Sequence, residues 1–137
     1  MSLEIQQRAV EGITVLDLSG TLILGPDDLA LRQLLQSSLD AGRNNVILNL
    51  ARASAIDTAG VGSLIVWAQR FHDAGGRLVL LNVIPAHTQL HDLLKLDTAI
   101  PSYSAELDAV NSFFPDRAGL HYDLLEFLEE QRVNKPA

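Results

Sequence analysis

Asn45-Val46-Ile47-Leu48-Asn49-Leu50, followed after a short connection by Ile56-Asp57-Thr58-Ala59-Gly60-Val61-Gly62-Ser63-Leu64-Ile65, reads as a buried strand running into a helix. The first run is too apolar for a strand with one wet face, so it belongs inside a sheet covered on both sides. In the second, Asp57 and Thr58 are competent N-cap residues at the helix start. A carboxylate and a hydroxyl therefore meet at an exposed strand-to-helix corner. The first turn of a helix presents backbone N–H groups with partial positive charge, so the fold tolerates a phosphate on Thr58. Such a phosphate adds about two negative charges and three acceptor oxygens beside Asp57. It would repel an acidic or apolar surface docked there. The plain alternative is that Asp57 and Thr58 only cap the helix.

On a helical wheel Val61, Leu64, Ile65, Ala68 and Phe71 share one face at core spacing, with Trp67 packing at its edge. The opposite face carries Ala59, Gly62, Ser63, Val66 and Arg70. Gly60 and Gly62 inside one helix each cost roughly 1 kcal/mol relative to alanine, which asks for a reason such as close backbone approach. A smooth face next to Thr58 supplies one: Ala59, Gly60, Gly62, Ser63 and Val66 are the candidate partner-binding residues. An ordinary exposed helix face is the other reading.

Working outward, residues 3–10 and 13–19 are short Ile/Val/Leu-rich runs separated by Glu11-Gly12, a hairpin signal. After Gly25-Pro26, Asp27 and Asp28 open a helix through Leu31, Leu34, Leu35 and Leu39 that ends at Gly42. Gly75-Gly76 stops the helix opened by Thr58, and residues 77–83 form a second apolar strand. A helix beginning near Pro85 places Ala86, Leu90, Leu93 and Leu94 on one face. An extended piece over 98–103 precedes a helix over 104–114 packed through Leu107, Val110 and Phe114, and Pro115 breaks the chain. Helices alternating with strands imply parallel pairing. The expected fold is α/β: one domain over residues 1–114, with a mixed, mostly parallel sheet of four to five strands and packed helices. Residues 115–137 form an extension and a frayed tail. Its helix, 120–133, puts Leu120, Leu124, Phe127 and Leu128 on one stripe and covers either its own domain or a second copy, as a homodimer.

This order of elements resembles the core of STAS domains, the anti-sigma factor antagonist family. The specific match is Asp57-Thr58-Ala59-Gly60, which is similar to the family's Asp-Ser-x-Gly signature after an apolar strand. By that resemblance Thr58 is the phosphorylation site and Asp57 its neighbouring acid. The implied partner is an anti-sigma factor or related ATP-binding switch-protein kinase, captured by the unphosphorylated form and released on phosphorylation. Threonine replaces the commoner serine, Asn49 stands where many members have Asp, and Gly20-Thr21-Leu22-Ile23 lacks the acids many members carry in that loop. The alternative is a constitutive STAS accessory subunit of a larger assembly, a lipid-transport ATPase or stress-sensing complex, with no phospho-switch. A third is a small-ligand sensor or weak nucleotide-binding domain.

The chain has 137 residues, 47% of them apolar, enough for one core. With no cysteine, disulfides, thiolate catalysis and cysteine-ligated metals are excluded. The N-terminus has no basic start or apolar run, and no uninterrupted apolar stretch is long enough to span a bilayer, so a cytoplasmic location is expected. A net charge of −7, with ten scattered Lys and Arg, argues against direct nucleic-acid binding. His87 and His91 fall four apart on a helix beside Asp92, but two ligands do not make a metal site, and they read, with His72 and His121, as surface residues. No catalytic constellation, cofactor motif or phosphate-binding loop is present, so a non-enzymatic binding module is expected.

Overall fold

A computed structural model describes residues 3–22, 26–83 and 89–115. The elements run β1 (Glu4–Val10), β2 (Ile13–Leu22), α1 (Pro26–Asp40), β3 (Asn45–Ile56), α2 (Thr58–Asp73), β4 (Arg77–Leu81), α3 (Leu90–Ala99), β5 (Ser102–Tyr103) and α4 (Glu106–Asn111). The expected helix start at Pro85, His87, Ile23, the 120–133 helix with His121, and the tail lie outside the described residues.

The five strands form one sheet in the order β1-β2-β3-β4-β5. β1 pairs antiparallel with β2, closing on Val10 opposite Ile13, and the other pairs are parallel. Glu11 and Gly12 hold φ of 51° and 81°, the left-handed pair that a two-residue hairpin turn needs to match strand twist. β3 lies at the centre, and its side chains alternate between two apolar layers. Val46, Leu48 and Leu50 join Leu16, Leu18, Leu78 and Leu80 beneath α1, α2 and α3. Ile47 joins Val15, Val79 and Leu81 in a smaller cluster closed by Ala109 and Val110 of α4.

Glycine ends both long helices with paired carbonyl satisfaction. At α1 Gly42 (φ 75°) donates to Leu39 O and Arg43 N–H to Ser38 O; at α2 Gly75 (φ 84°) donates to His72 O and Gly76 N–H to Phe71 O. These are 5→2 and 6→1 bonds around a left-handed residue, which no side-chain cap is needed to supplement.

Several boundaries and faces differ from the sequence expectation. β3 continues past Leu50 to Ile56 and β2 to Leu22, because backbone pairing carries on through two register shifts near Asp17–Thr21. In the β3 extension, residues 51–56, only Ala53 and Ile56 are buried, so hydrophobic period gives no sign of it. β4 stops at Leu81, where Asn82 turns into the left-handed region at φ 63°. On α3 the expected apolar face is rotated: Leu90 and Leu94 are 71% and 57% exposed, while Asp92 and Leu96 face inward. The helix also takes up Thr98 and Ala99, leaving β5 two residues long. On α4, shorter than expected, Val110 is buried and Phe114 packs against the same cluster as expected, but Leu107 is exposed and Ala109 packs in its place.

Arg8 fixes α4 to the hairpin. Its Nε donates to Asp17 Oδ2 at 2.7 Å and Nη1 to Glu106 Oε2 at 3.1 Å, while Asn49 Nδ2 donates to Asp17 Oδ1 at 2.8 Å. Hydrogen bonds from Arg8 hold both carboxyls below their ordinary range. Their folded-state pKa values are depressed, so this stabilisation is present at neutral pH and is lost as pH falls through the carboxylate range. Removing the guanidinium in Arg8→Met is expected to cost about 1 kcal/mol at pH 7, allowing for solvent screening of a half-exposed cluster. The gap between wild type and variant should close at pH 3 in urea unfolding. A gap that is the same at both pH values would show that the cluster's charges contribute nothing.

Candidate functional site

The site is the corner where β3 becomes α2. Ile56, 2% exposed, pins the strand end in the core, and Asp57 leaves the sheet with φ −80° and ψ 171°, the extended geometry of an N-cap. Asp57 Oδ1 accepts from Gly60 N–H at 2.6 Å, and its carbonyl accepts from Val61 N–H at 2.9 Å. Asp57 is thus the cap and Thr58 the first helical residue, exposed at the tip. The two residues share the corner with separate tasks: the acid holds the turn, while the exposed threonine turns its hydroxyl toward α3.

Thr58 Oγ1 donates to Asp92 Oδ2 at 2.8 Å. Asp92 is 1% exposed, and among the described residues its Oδ1 has no hydrogen-bond partner. His91 Nε2 lies 3.4 Å from that oxygen, a charge contact when the imidazole is protonated but too long for a good hydrogen bond. Sequence reading placed Asp92 only beside a histidine pair. Its bond to Thr58 is the feature that reading missed, and the available signal was an acid in the first turn of an otherwise leucine-rich helix.

Val61, Leu64 and Phe71 are buried as the wheel requires, with Ile65 and Ala68 half-buried against the same core. Trp67 is buried too, its ring 6.4 Å from that of Phe71, and the Arg70 guanidinium lies 4.7 Å above it. On the outer face Ala59, Gly62 and Val66 are exposed and Ser63 is half-buried. They line a shallow depression of about 350 Å³, floored by Trp67 and flanked by Arg32 and Arg70. Gly60 does not join them: it is buried, with its N–H committed to Asp57. A Cβ on Gly62 meets nothing within 4 Å, so no contact inside the domain requires a glycine there.

His72 and His91 are exposed, and among the described residues no three His, Cys, Asp or Glu side chains gather at metal-binding distance. No helix among the described residues is long and apolar enough to cross a membrane.

Comparison with known proteins converges on one family. The STAS domain model matches residues 4–109. An anti-sigma F factor antagonist of Paenibacillus polymyxa is 24% identical over 110 residues, covering 80% of this chain and 94% of that protein. The crystal structure of an anti-sigma factor antagonist from Mycobacterium paratuberculosis superposes with a TM-score of 0.68 at 18% identity, covering 82% of this chain and 94% of the other. The Bacillus cell fate determinant SpoIIAA in its phosphorylated form does so with a TM-score of 0.61 at 21% identity, covering 80% and 98%. With the family model spanning the hairpin, the Thr58 corner and every strand of the sheet, the chain belongs to the STAS domain family.

Proposed function

We propose that this domain is an anti-sigma factor antagonist that works by partner switching. In its unmodified form it captures an anti-sigma factor or related ATP-binding switch kinase through the outer face of α2. Phosphorylation of Thr58 releases that partner. The observation that carries this reading is the adjacency of an exposed threonine at the start of α2 to an outer strip of small residues, Ala59, Gly62, Ser63 and Val66. The relatives add to it, since one is an anti-sigma F factor antagonist and another is known in a phosphorylated form.

The chemistry fits. A phosphate on Thr58 sits at the N-terminal end of α2, where the helix dipole and first-turn amides favour an anion, so the domain accepts it without unfolding. A partner docked over the strip meets two new negative charges at the rim and loses the dry contact. On this reading the domain acts by binding, and its effect on transcription is indirect.

The test is affinity capture from the native cell lysate with wild-type and Thr58→Glu baits, the retained proteins being identified by mass spectrometry. Wild type is expected to retain a protein with an ATP-binding kinase fold, and Thr58→Glu to bind it about thirtyfold more weakly, since it carries one charge where phosphate carries about two. Equal retention of the same complex by both baits would rule out the switch and leave a constitutive accessory subunit.

A further inference from the structure

We propose that α3 is a switching element whose seating on α2 is set by the chemical state of Thr58, with Asp92 as the link. The inference takes its biological trigger from the phospho-switch reading, while its structural content stands on contacts within this chain.

Asp92 lies in the first turn of α3 and is 1% exposed. Among the described residues the hydrogen-bonding support of its carboxyl group is the Thr58 hydroxyl at 2.8 Å, with Oδ1 left unpartnered. A buried acid with half its capacity unmet tolerates little further loss, because each polar group stranded away from water carries its full desolvation cost. Loading Thr58 with a phosphoryl group replaces the hydroxyl hydrogen. The bond to Asp92 then has no donor, and two oxygen acceptors face each other at hydrogen-bond distance with about two extra negative charges nearby.

The strain has an obvious place to go. α2 is anchored by Val61, Leu64 and Phe71, each 1% exposed or less. Among the described residues the front of α3 has no such apolar anchor. Gln89 gives it no side-chain cap, Leu90 and Leu94 face solvent, and the core contacts concentrate at Leu96 and Ile100. A groove of about 270 Å³ lined by Leu80, Val83, Leu93, Leu94 and Leu96 runs beside it, so packing there is incomplete. The element that yields is the first turn of α3, carrying Leu90, His91, Leu93 and Leu94 with it. The partner surface would then include this helix, and the effect of Thr58 would reach beyond electrostatic repulsion at the corner.

Hydrogen–deuterium exchange of the full chain tests this without any partner. In Thr58→Glu, amides of residues 90–99 are expected to exchange at least about tenfold faster than in wild type, the loss of one hydrogen bond to a buried acid, while those of β3 and the centre of α2 keep their protection. Adding Asp92→Asn to Thr58→Glu supplies a donor and removes a charge, and should restore slow exchange in α3. Thr58→Val, which removes the donor without adding charge, should accelerate the same amides by a smaller factor, and it carries the test if Thr58→Glu does not fold. Unchanged exchange over 90–99 in the folded variants, or acceleration spread evenly over the domain, overturns the proposal. The phospho-switch reading fails separately, by equal partner capture, so the two can be told apart.

Discussion

Gly76→Ala is expected to be severely damaging for a single added methyl, costing about 3 kcal/mol in urea unfolding. A Cβ at this position would lie 1.8 Å from the carbonyl oxygen of Asn44 and 2.5 Å from its carbonyl carbon. Those atoms have no freedom to retreat. The same carbonyl accepts from Arg77 N–H at 2.8 Å, and Asn44 Nδ2 donates to Ala74 O at 2.9 Å, so the connection before β3 is tied to the end of α2 and the start of β4. Relief means separating these segments where the two central strands begin their pairing, Asn45 beside Arg77. A loss of this size is a large part of the total stability of a domain, of order 5–15 kcal/mol. Gly62→Ala is the control with the opposite sign. Its Cβ meets open space in mid-helix, so it should stabilise by up to about 1 kcal/mol. If Gly76→Ala unfolds within about 0.5 kcal/mol of wild type, the Asn44 connection is free to move away from the end of α2.

The contrast between these glycines marks how far sequence carries. Local rules sufficed where the signal repeats along the chain: the Glu11-Gly12 hairpin, the apolar run of β3, and the Val61, Leu64 and Phe71 face of α2 each have a period or turn chemistry of their own. The Thr58 corner was legible for the same reason, being a strand, a cap and a helix in sequence order. Gly60 and Gly62 look alike in the sequence, yet one is buried against the cap and the other open, because their positions on the wheel face different neighbours. α3 was misread because leucines occur on several of its faces, and Leu96 with Ile100 satisfies helical spacing as well as Leu90 with Leu94 does. What selects the true face is a distant residue. The first turn of α3 has to bring Asp92 to Thr58, a pairing across 34 positions that no local pattern encodes. Ala51–Ala55, with Ala53 alone buried, gave no apolar alternation, and only pairing with the far half of β2 makes that segment a strand.

Gly62→Arg is expected to abolish partner capture, by at least about a hundredfold, with thermal stability equal to or slightly above that of wild type. Stability is preserved because the side chain enters open space from a helix position where glycine itself costs about 1 kcal/mol relative to a good helix former. Binding is lost for two independent reasons. The strip is made of Ala59, Gly62, Ser63 and Val66, so a long side chain at its middle holds any docked surface away from the backbone of α2. Burying the guanidinium without a partner costs several kcal/mol, and Arg32 and Arg70 already flank the depression, so the new cation adds to the same sign of charge. Gly62→Ala separates the two causes, since one methyl tests close approach without charge. Its capture should fall measurably if a partner backbone lies against Gly62, and should match wild type if only bulk and charge matter. Should Gly62→Arg hold its partner as tightly as wild type, the outer face of α2 is an ordinary solvated surface, and the effect of Thr58 has to be carried by α3 instead.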